Sequence, residues 1–318
     1  MSLRLHSKVF PAVPVPFART GVIDEELQGE YVRWMSGQGA GGVAVWAHTG
    51  RGLLLHDDER ALVLSSWRSG IGDKQIICGV GVPADVALPY DPNHRTNAVC
   101  RAARAMAYEA KRGKADALLV YPPTSLRGLP DLNQRIIDYH KALGEVGLPF
   151  LAFYLYDGAG GLSYEKDVLD AFCSLKNFVG IKVATLDSVM TFQDVVARVS
   201  ARRGVVVTGE DRFLGYSFEM GASAALIGLA AAATDQPVEL ARSWFGRDYA
   251  AFHRLSPSID AFARSTFCVP IEGYVQRMLW VLEADGALSR RAYDRHAPPL
   301  APAERTAVFE ALLALRAA

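Results

Sequence analysis

The sequence predicts an α/β fold, a (β/α)8 TIM barrel with a C-terminal helical appendage. Three observations carry this. Eight short, mostly apolar runs lie between residues 10 and 229, and helical hydrophobic patterns fill the gaps between them. From about Thr234 the alternation stops and only helical patterns follow. Short apolar runs without polar alternation fit strands covered on both faces, and eight such βα units close a barrel. A doubly wound open sheet is the competing arrangement. It is disfavoured because no Gly-x-Gly-x-x-Gly opens a helix after the first run. The expected division is a barrel over residues 1–233 and a helical region packed on it over residues 234–318.

The strands are expected at residues 10–17, 42–47, 75–81, 115–121, 149–156, 178–184, 204–209 and 222–229. After the first, Asp24 has the character of a helix N-cap, and Leu27, Tyr31 and Met35 follow on one helical face. Leu132, Ile136, His140 and Leu143 form a second stripe before the fifth strand. After the sixth, Ser188 caps a third stripe of Val189, Phe192, Val196 and Val199. Residues 235–255, 259–284 and 302–318 read as three helices, and this tail shows no active-site motif of its own.

Composition excludes several classes of function. The 318 residues are 50% hydrophobic and carry a formal net charge of +0. That supports a large core and leaves no electrostatic footprint for nucleic acid or an anionic membrane. No apolar stretch approaches a membrane span, and Met1-Ser2-Leu3-Arg4-Leu5-His6 lacks the apolar core of a signal peptide. Cys78, Cys100, Cys173 and Cys268 are scattered, with no Cys-x-x-Cys pair. Cys78 and Cys173 read as small core residues, and a reducing cytoplasm is the expected location.

Lys182 is the most informative residue. It is the only charge in the run Phe178-Val179-Gly180-Ile181-Lys182-Val183-Ala184. Burying an ammonium favours the neutral, nucleophilic amine. A free lysine is neutral at pH 7 in only on the order of one part in a thousand, so a strand that lowers its pKa makes a Schiff-base former. The alternative is a lysine at the strand end whose head reaches solvent.

Active groups of a barrel sit at the C-terminal ends of strands. Here those ends read Ala47-His48-Thr49-Gly50-Arg51-Gly52 after strand two, Tyr154-Leu155-Tyr156-Asp157-Gly158-Ala159-Gly160-Gly161 after strand five, and Thr208-Gly209-Glu210-Asp211 after strand seven. Val179-Gly180-Ile181-Lys182 with Ala184-Thr185, the strand-five tyrosine before a glycine-rich turn, Thr49-Gly50, the helix start His56-Asp57-Asp58-Glu59-Arg60 and Gly209-Glu210-Asp211 together resemble the dihydrodipicolinate synthase / N-acetylneuraminate lyase family. The resemblance runs from about residue 8 to residue 290.

The resemblance implies a lyase or aldolase acting on a pyruvate-type 2-oxo acid, without a cofactor or metal, in a homo-oligomer (dimer or tetramer). Lys182 would form the imine and Tyr154 would shuttle the proton, with Tyr156 the competing candidate on the same strand. Thr49 and the backbone of its turn would bind the 2-oxo acid carboxylate. Gly50, His48, Gly209 and Leu226 complete the expected substrate-binding set. Glu210 and Asp211 are expected to cap a helix. No third ligand has convincing spacing to make a metal site of His48 and His56.

Departures from the family pattern separate its activities. Ala159 stands where the synthase carries a substrate-binding arginine, so that activity is not expected. The strand-four end, Tyr121-Pro122-Pro123-Thr124, lacks the tyrosine that the synthase lends across a subunit interface. His48 and Arg51 replace a hydroxyl residue and a glutamate, and residues 83–94 add a longer loop at the mouth. His48 and Arg51 would reshape the pocket for another substrate, one with a second acidic group. Otherwise Arg51 pairs with Asp58 or Glu59 and His48 only fills space. A dehydratase using the same imine and a catalytically silent binding or regulatory barrel are the competing functions.

Overall fold

Eight parallel strands form the centre of the described residues: β1 (Val9–Pro11), β2 (Gly42–Val45), β3 (Gln75–Val80), β4 (Ala117–Val120), β5 (Phe150–Leu155), β6 (Phe178–Ala184), β7 (Val205–Thr208) and β8 (Ala224–Ile227). The computed structural model describes residues 3–317. Met1 and Ser2, which open the expected barrel, and Ala318, the expected end of the last helix, lie outside the described residues. The sheet runs β1-β8-β7-β6-β5-β4-β3-β2. It closes where Ala12 bridges Ala44 and the Val13 N–H donates to the Ala44 carbonyl at 3.1 Å. Every expected strand is present, each starting and ending within the expected apolar run or one residue from it.

Helices α1 (Glu25–Ser36), α2 (Asp57–Gly70), α3 (Pro92–Arg112), α4 (Leu132–Gly144), α5 (Lys166–Phe172), α6 (Val189–Ser200) and α7 (Leu214–Glu219) alternate with the strands. Asp24 caps α1 by accepting from the Leu27 N–H, and Ser188 caps α6 by accepting from the Thr191 N–H. Leu27, Tyr31 and Met35 are buried on α1, and Phe192, Val196 and Val199 on α6, while Val189 is exposed at the first turn of α6. The extra loop ends at Asp91, whose carboxylate caps α3 by accepting from the Asn93 and His94 N–H groups.

The tail forms α8 (Asp235–Phe245), α9 (Tyr249–Thr266), α10 (Tyr274–Ala284) and α11 (Pro302–Arg316), where three helices were expected with different breaks. The first break falls at residues 246–248, because Asp248 caps a new helix by accepting from the Ala251 N–H. The chain then runs straight through Pro257. Burial of Phe252, Leu255, Ile259 and Phe262 along one face of α9 offsets the hydrogen bond that the proline cannot make. The expected helix over residues 259–284 is broken at Phe267. Pro270 cannot continue a helix, and the chain crosses the barrel mouth in a 3₁₀ turn, Ile271–Gly273, before α10.

Strand alternation sorts side chains between two cores. Leu151, Phe153 and Leu155 of β5 point into the barrel with Phe10, Leu119, Val207 and Leu226. Phe150, Ala152 and Tyr154 point outward into the layer between barrel and helices. On β6, Ile181 and Val183 face the helices, so Lys182 between them faces inward.

Candidate active site

Lys182 lies between Phe153 of β5 and Val207 of β7 in the strand register. Only 5% of it is exposed, and Nζ sits 4.2 Å from the centroid of the Phe153 ring. The alternative of a lysine head in solvent is not what the structure shows. Burial pulls its ammonium below the ordinary lysine range, and the carboxylates of Asp211 and Glu210 oppose that shift without cancelling it. Gly209 makes the room: a Cβ there would stand 2.5 Å from Lys182 Cε and 2.9 Å from the Ala184 Cβ.

Around Lys182 the structure brings together His48, Thr49, Leu155, Tyr156, Gly209, Asp211, Gly228, Phe267, Ile271 and Tyr274. They enclose about 30 Å³ of open space, room for little more than one water. His48, Thr49 and Gly50 form a 3₁₀ turn directly after β2. Trp46 and Arg51 bracket this turn in left-handed backbone, at φ 55° and 53°. Tyr121 at the end of β4 donates to the Trp46 carbonyl at 3.2 Å, and the Trp46 indole donates to the Arg60 carbonyl at 3.1 Å. These bonds hold a conformation that a bulky residue otherwise avoids. Gly50 is packed under the turn, where a Cβ would meet the Val13 carbonyl at 2.8 Å.

Three expected site residues do not line the cavity: Gly50, packed under the turn, Tyr154 and Leu226. Tyr154 is turned away from Lys182, into the helix layer, with its ring 5.4 Å from that of Tyr164. Tyr156 lines the cavity instead. Regular alternation would put it on the same side as Tyr154, but β5 ends at Leu155, and Tyr156 opens a 3₁₀ turn with φ −61° and ψ 152°. Leu226 is fully buried inside the barrel opposite Phe10, and does not line the cavity. Moving the tyrosine by two residues carries the arginine comparison from Ala159 to Gly161, and neither side chain bears a charge.

The tail, expected to show no active-site motif of its own, supplies Phe267, Ile271 and Tyr274 to the cavity lining and Glu272 and Asp294 behind it. The Tyr274 hydroxyl lies 3.0 Å from Thr49 Oγ1 and 3.0 Å from His48 Nδ1. Its ring stacks between Phe267 at 4.6 Å and His48 at 6.0 Å. Glu272 Oε1 accepts from the Tyr156 hydroxyl at 3.2 Å and stands 3.5 Å from His48 Nε2. Its Oε2 is 2.5 Å from Arg51 Nη1. Arg51 also grips Asp294 through Nε at 3.2 Å and Nη2 at 2.8 Å. Asp58 and Glu59 are not its partners. Glu59 pairs with Arg295 and caps α2 through the His56 N–H at 3.0 Å.

The segment is fixed from behind by Arg277. This fully buried guanidinium donates to the carbonyls of Thr266 at 3.1 Å, Cys268 at 2.9 Å and Pro270 at 3.2 Å, and pairs with Glu304 at 2.6 Å.

Electrostatics follow from burial. Desolvation lowers the His48 pKa to about 4, with Glu272 opposing and Arg51 and Lys182 reinforcing the shift, so the ring is neutral at pH 7. Burial also works against ionisation of Glu272, but the Arg51 guanidinium and the Tyr156 hydroxyl bonded to it hold its carboxyl below the usual range, and a charged His48 would add to this only at low pH. Burial raises Glu210 to about 7 against the pull of its hydrogen bonds. Glu210 and Asp211 do not cap the helix that follows them. Glu210 accepts from the Thr185 N–H at 2.6 Å and the Leu186 N–H at 2.9 Å, and Asp211 from the Leu229 N–H at 2.7 Å. Both carboxylates therefore tie neighbouring βα turns together, and Asp211 also faces the cavity with Lys182.

Among the described residues no three His, Cys, Asp or Glu side chains converge as metal ligands, and no helix is long and apolar enough to cross a membrane.

The fold and the placement of Lys182 define a closed parallel barrel with a buried lysine at the C-terminal ends of its strands. The chain belongs to the dihydrodipicolinate synthetase family, whose profile matches residues 5–284. Family members are class I aldolases and lyases, and this chain is an enzyme of that class. It is 26% identical over 264 residues to a 4-hydroxy-tetrahydrodipicolinate synthase of Mycolicibacterium paratuberculosis, covering 80% of each chain. A dihydrodipicolinate synthase structure from Oceanobacillus iheyensis shares the fold at TM-score 0.78 and 16% identity, covering 98% of this chain and 97% of that one. The N-acetylneuraminate lyase of Proteus mirabilis does so at TM-score 0.75 and 18% identity, covering 99% of each.

Proposed function

We propose that this enzyme forms an imine between Lys182 and a pyruvate-type 2-oxo acid and makes or breaks the adjacent carbon–carbon bond. The observation that carries the reading is a lysine inside the barrel whose amine burial pushes toward the neutral, nucleophilic form. Thr49 receives the C1 carboxylate through its hydroxyl, while the Gly50 and Arg51 N–H groups hold the turn by donating to the Ala47 and His48 carbonyls. The protonated imine draws electrons from the C3–C4 bond, the C4 hydroxyl loses its proton, and an aldehyde and an enamine result.

Tyr156, rather than Tyr154, carries that proton. It is the strand-five tyrosine that lines the cavity, and its phenol is already oriented by a hydrogen bond to Glu272. Burial and the Glu272 carboxylate raise the phenol pKa, so the phenol is protonated at rest; it takes the C4 hydroxyl proton as it passes its own to Glu272, and the proton returns to the enamine carbon once the aldehyde has left. Authentic dihydrodipicolinate synthase activity is not expected, since neither Ala159 nor Gly161 offers the charged fork of an arginine.

The small cavity, with the tail segment seated on His48 and Arg51, favours one second reading, a catalytically silent barrel. Turnover decides between them. Pyruvate release from a panel of 4-hydroxy-2-oxo acids should be seen with the wild type and vanish in Lys182→Ala. Cleavage that survives in Lys182→Ala would remove the imine from the reaction, and no turnover of any 2-oxo acid would favour the silent barrel.

A further inference from the structure

Behind His48, Tyr156 and Tyr274, which line the cavity, lies a charged cluster of Arg51, Glu272 and Asp294. Among the described residues Arg51 is the one cation paired with a partner of His48 and Tyr156, and both edges of its guanidinium are taken, by Glu272 and by Asp294. Asp294 is 6% exposed and binds Arg51 through two nitrogens, so Arg51 keeps a carboxylate partner even when the segment carrying Glu272 shifts to admit a substrate. His48 adds no charge. Two carboxylates against one guanidinium leave this cluster, next to the cavity, at net −1. Arg127, which reaches the strand-five turn from the loop after β4, is likewise engaged, with Asp157 at 2.6 Å and the Gly161 carbonyl at 2.6 Å.

A carboxylate arriving here would find no free donor fork and would face a like charge in a partly dehydrated site, where such juxtaposition is strongly unfavourable. A hydroxyl finds partners at once: the Tyr156 and Tyr274 hydroxyls line the cavity and both donate and accept, and Glu272 behind them accepts from Tyr156.

Resting on the reading of Lys182 as the imine-forming residue, we infer that Glu272 is a specificity-determining residue, and that the substrate beyond its 2-oxo acid end carries hydroxyl groups and no second carboxylate. This reverses the expectation that Arg51 serves a second acidic group.

The test compares two compounds that differ at one carbon, 4,5-dihydroxy-2-oxopentanoate and 4-hydroxy-2-oxopentanedioate, which end in a hydroxymethyl and a carboxylate. The concentration giving half-maximal borohydride trapping on Lys182 is read by mass for each, with pyruvate as the reference. In the wild type the hydroxymethyl compound should trap at a concentration at least about tenfold lower than the diacid. Glu272→Gln, which keeps the shape and removes the charge, should shrink that ratio severalfold, and Glu272→Asp should retain it. A role of Glu272 in packing alone would lower stability and leave the ratio unmoved. Equal trapping, preference for the diacid, trapping of neither compound while pyruvate traps, or an unchanged ratio in Glu272→Gln would each overturn the inference. Failure of pyruvate itself to trap on Lys182 would instead remove the imine reading on which it rests.

Discussion

The Tyr156 phenol donates to the Glu272 carboxylate at 3.2 Å, joining the end of strand β5 to a tail residue 116 positions later in the chain. From Glu272 polar contacts continue to His48 at 3.5 Å, and from His48 through Tyr274 to Thr49 at 3.0 Å for each step. The groups expected to handle the proton and the groups expected to hold the carboxylate are thus joined by one chain of polar contacts, and the tail residues Glu272 and Tyr274 are its links.

Tyr156→Phe should therefore keep imine formation and lower turnover by roughly 10²–10⁴, the usual contribution of a positioned general acid or base. Tyr154→Phe should leave turnover within about twofold of the wild type, because its ring faces Tyr164 in the helix layer. Steady-state kinetics with any cleaved 2-oxo acid measures both. A larger loss from Tyr154→Phe would mean that the outward tyrosine is the one that works.

Much of this could be read in the sequence, for identifiable reasons. Strands buried on both faces write themselves as apolar runs, and a lysine inside one stands out, so the barrel and Lys182 were both legible. Tyr154 and Tyr156 were not separable, because period-two alternation gives them one face and only the end of β5 at Leu155 sends them apart. Glu272, Tyr274 and Asp294 carry no local signal. They lie more than 200 residues from the turn they complete, and Arg51 looks surface-like beside Asp58 and Glu59 until the fold shows where its fork points.

Gly209 tests whether Lys182 needs its present position. The Cβ of Gly209→Ala would stand 2.5 Å from Lys182 Cε and 3.0 Å from the Val183 carbonyl. Overpacking of this kind costs about 1–3 kcal/mol. The melting temperature should fall modestly, while the rate of imine trapping falls at least about tenfold as the amine is displaced. Full trapping with unchanged kinetics would show that the lysine tolerates a different path.

Arg51→Met should be strongly destabilising. It leaves the buried Asp294 without its bidentate partner, and stranding one member of a buried pair costs about 3–5 kcal/mol. Urea denaturation measures this directly. A loss below about 1 kcal/mol would mean that the pair is solvated and weak.

His140 supplies a pH dependence away from the site. It is fully buried on α4, Nδ1 donates to the Ile136 carbonyl at 2.8 Å, and the ring packs 4.2 Å from that of Phe172. Burial lowers its pKa from 6.5 to about 4. A group depressed on folding contributes stability that is complete above its unfolded pKa and lost as the pH falls through the folded one. Folding should therefore weaken between pH 6.5 and about 4, by up to about 3 kcal/mol from this residue. Unfolding free energies of the wild type and His140→Met at pH 7 and pH 4.5 should differ by that much less in the variant. Equal pH dependence in the two proteins would show that His140 does not titrate in this window.

The central claim is that Lys182 is the nucleophile. Its most direct test is reduction with borohydride in the presence of pyruvate, followed by peptide mapping of the modified protein. One adduct should form on the peptide containing Lys182, at a rate that rises with pH and levels off below the range of an exposed lysine, since burial lowers its pKa. Lys182→Ala should form none. An adduct on another lysine, or no adduct with pyruvate or any other 2-oxo acid, would contradict the account.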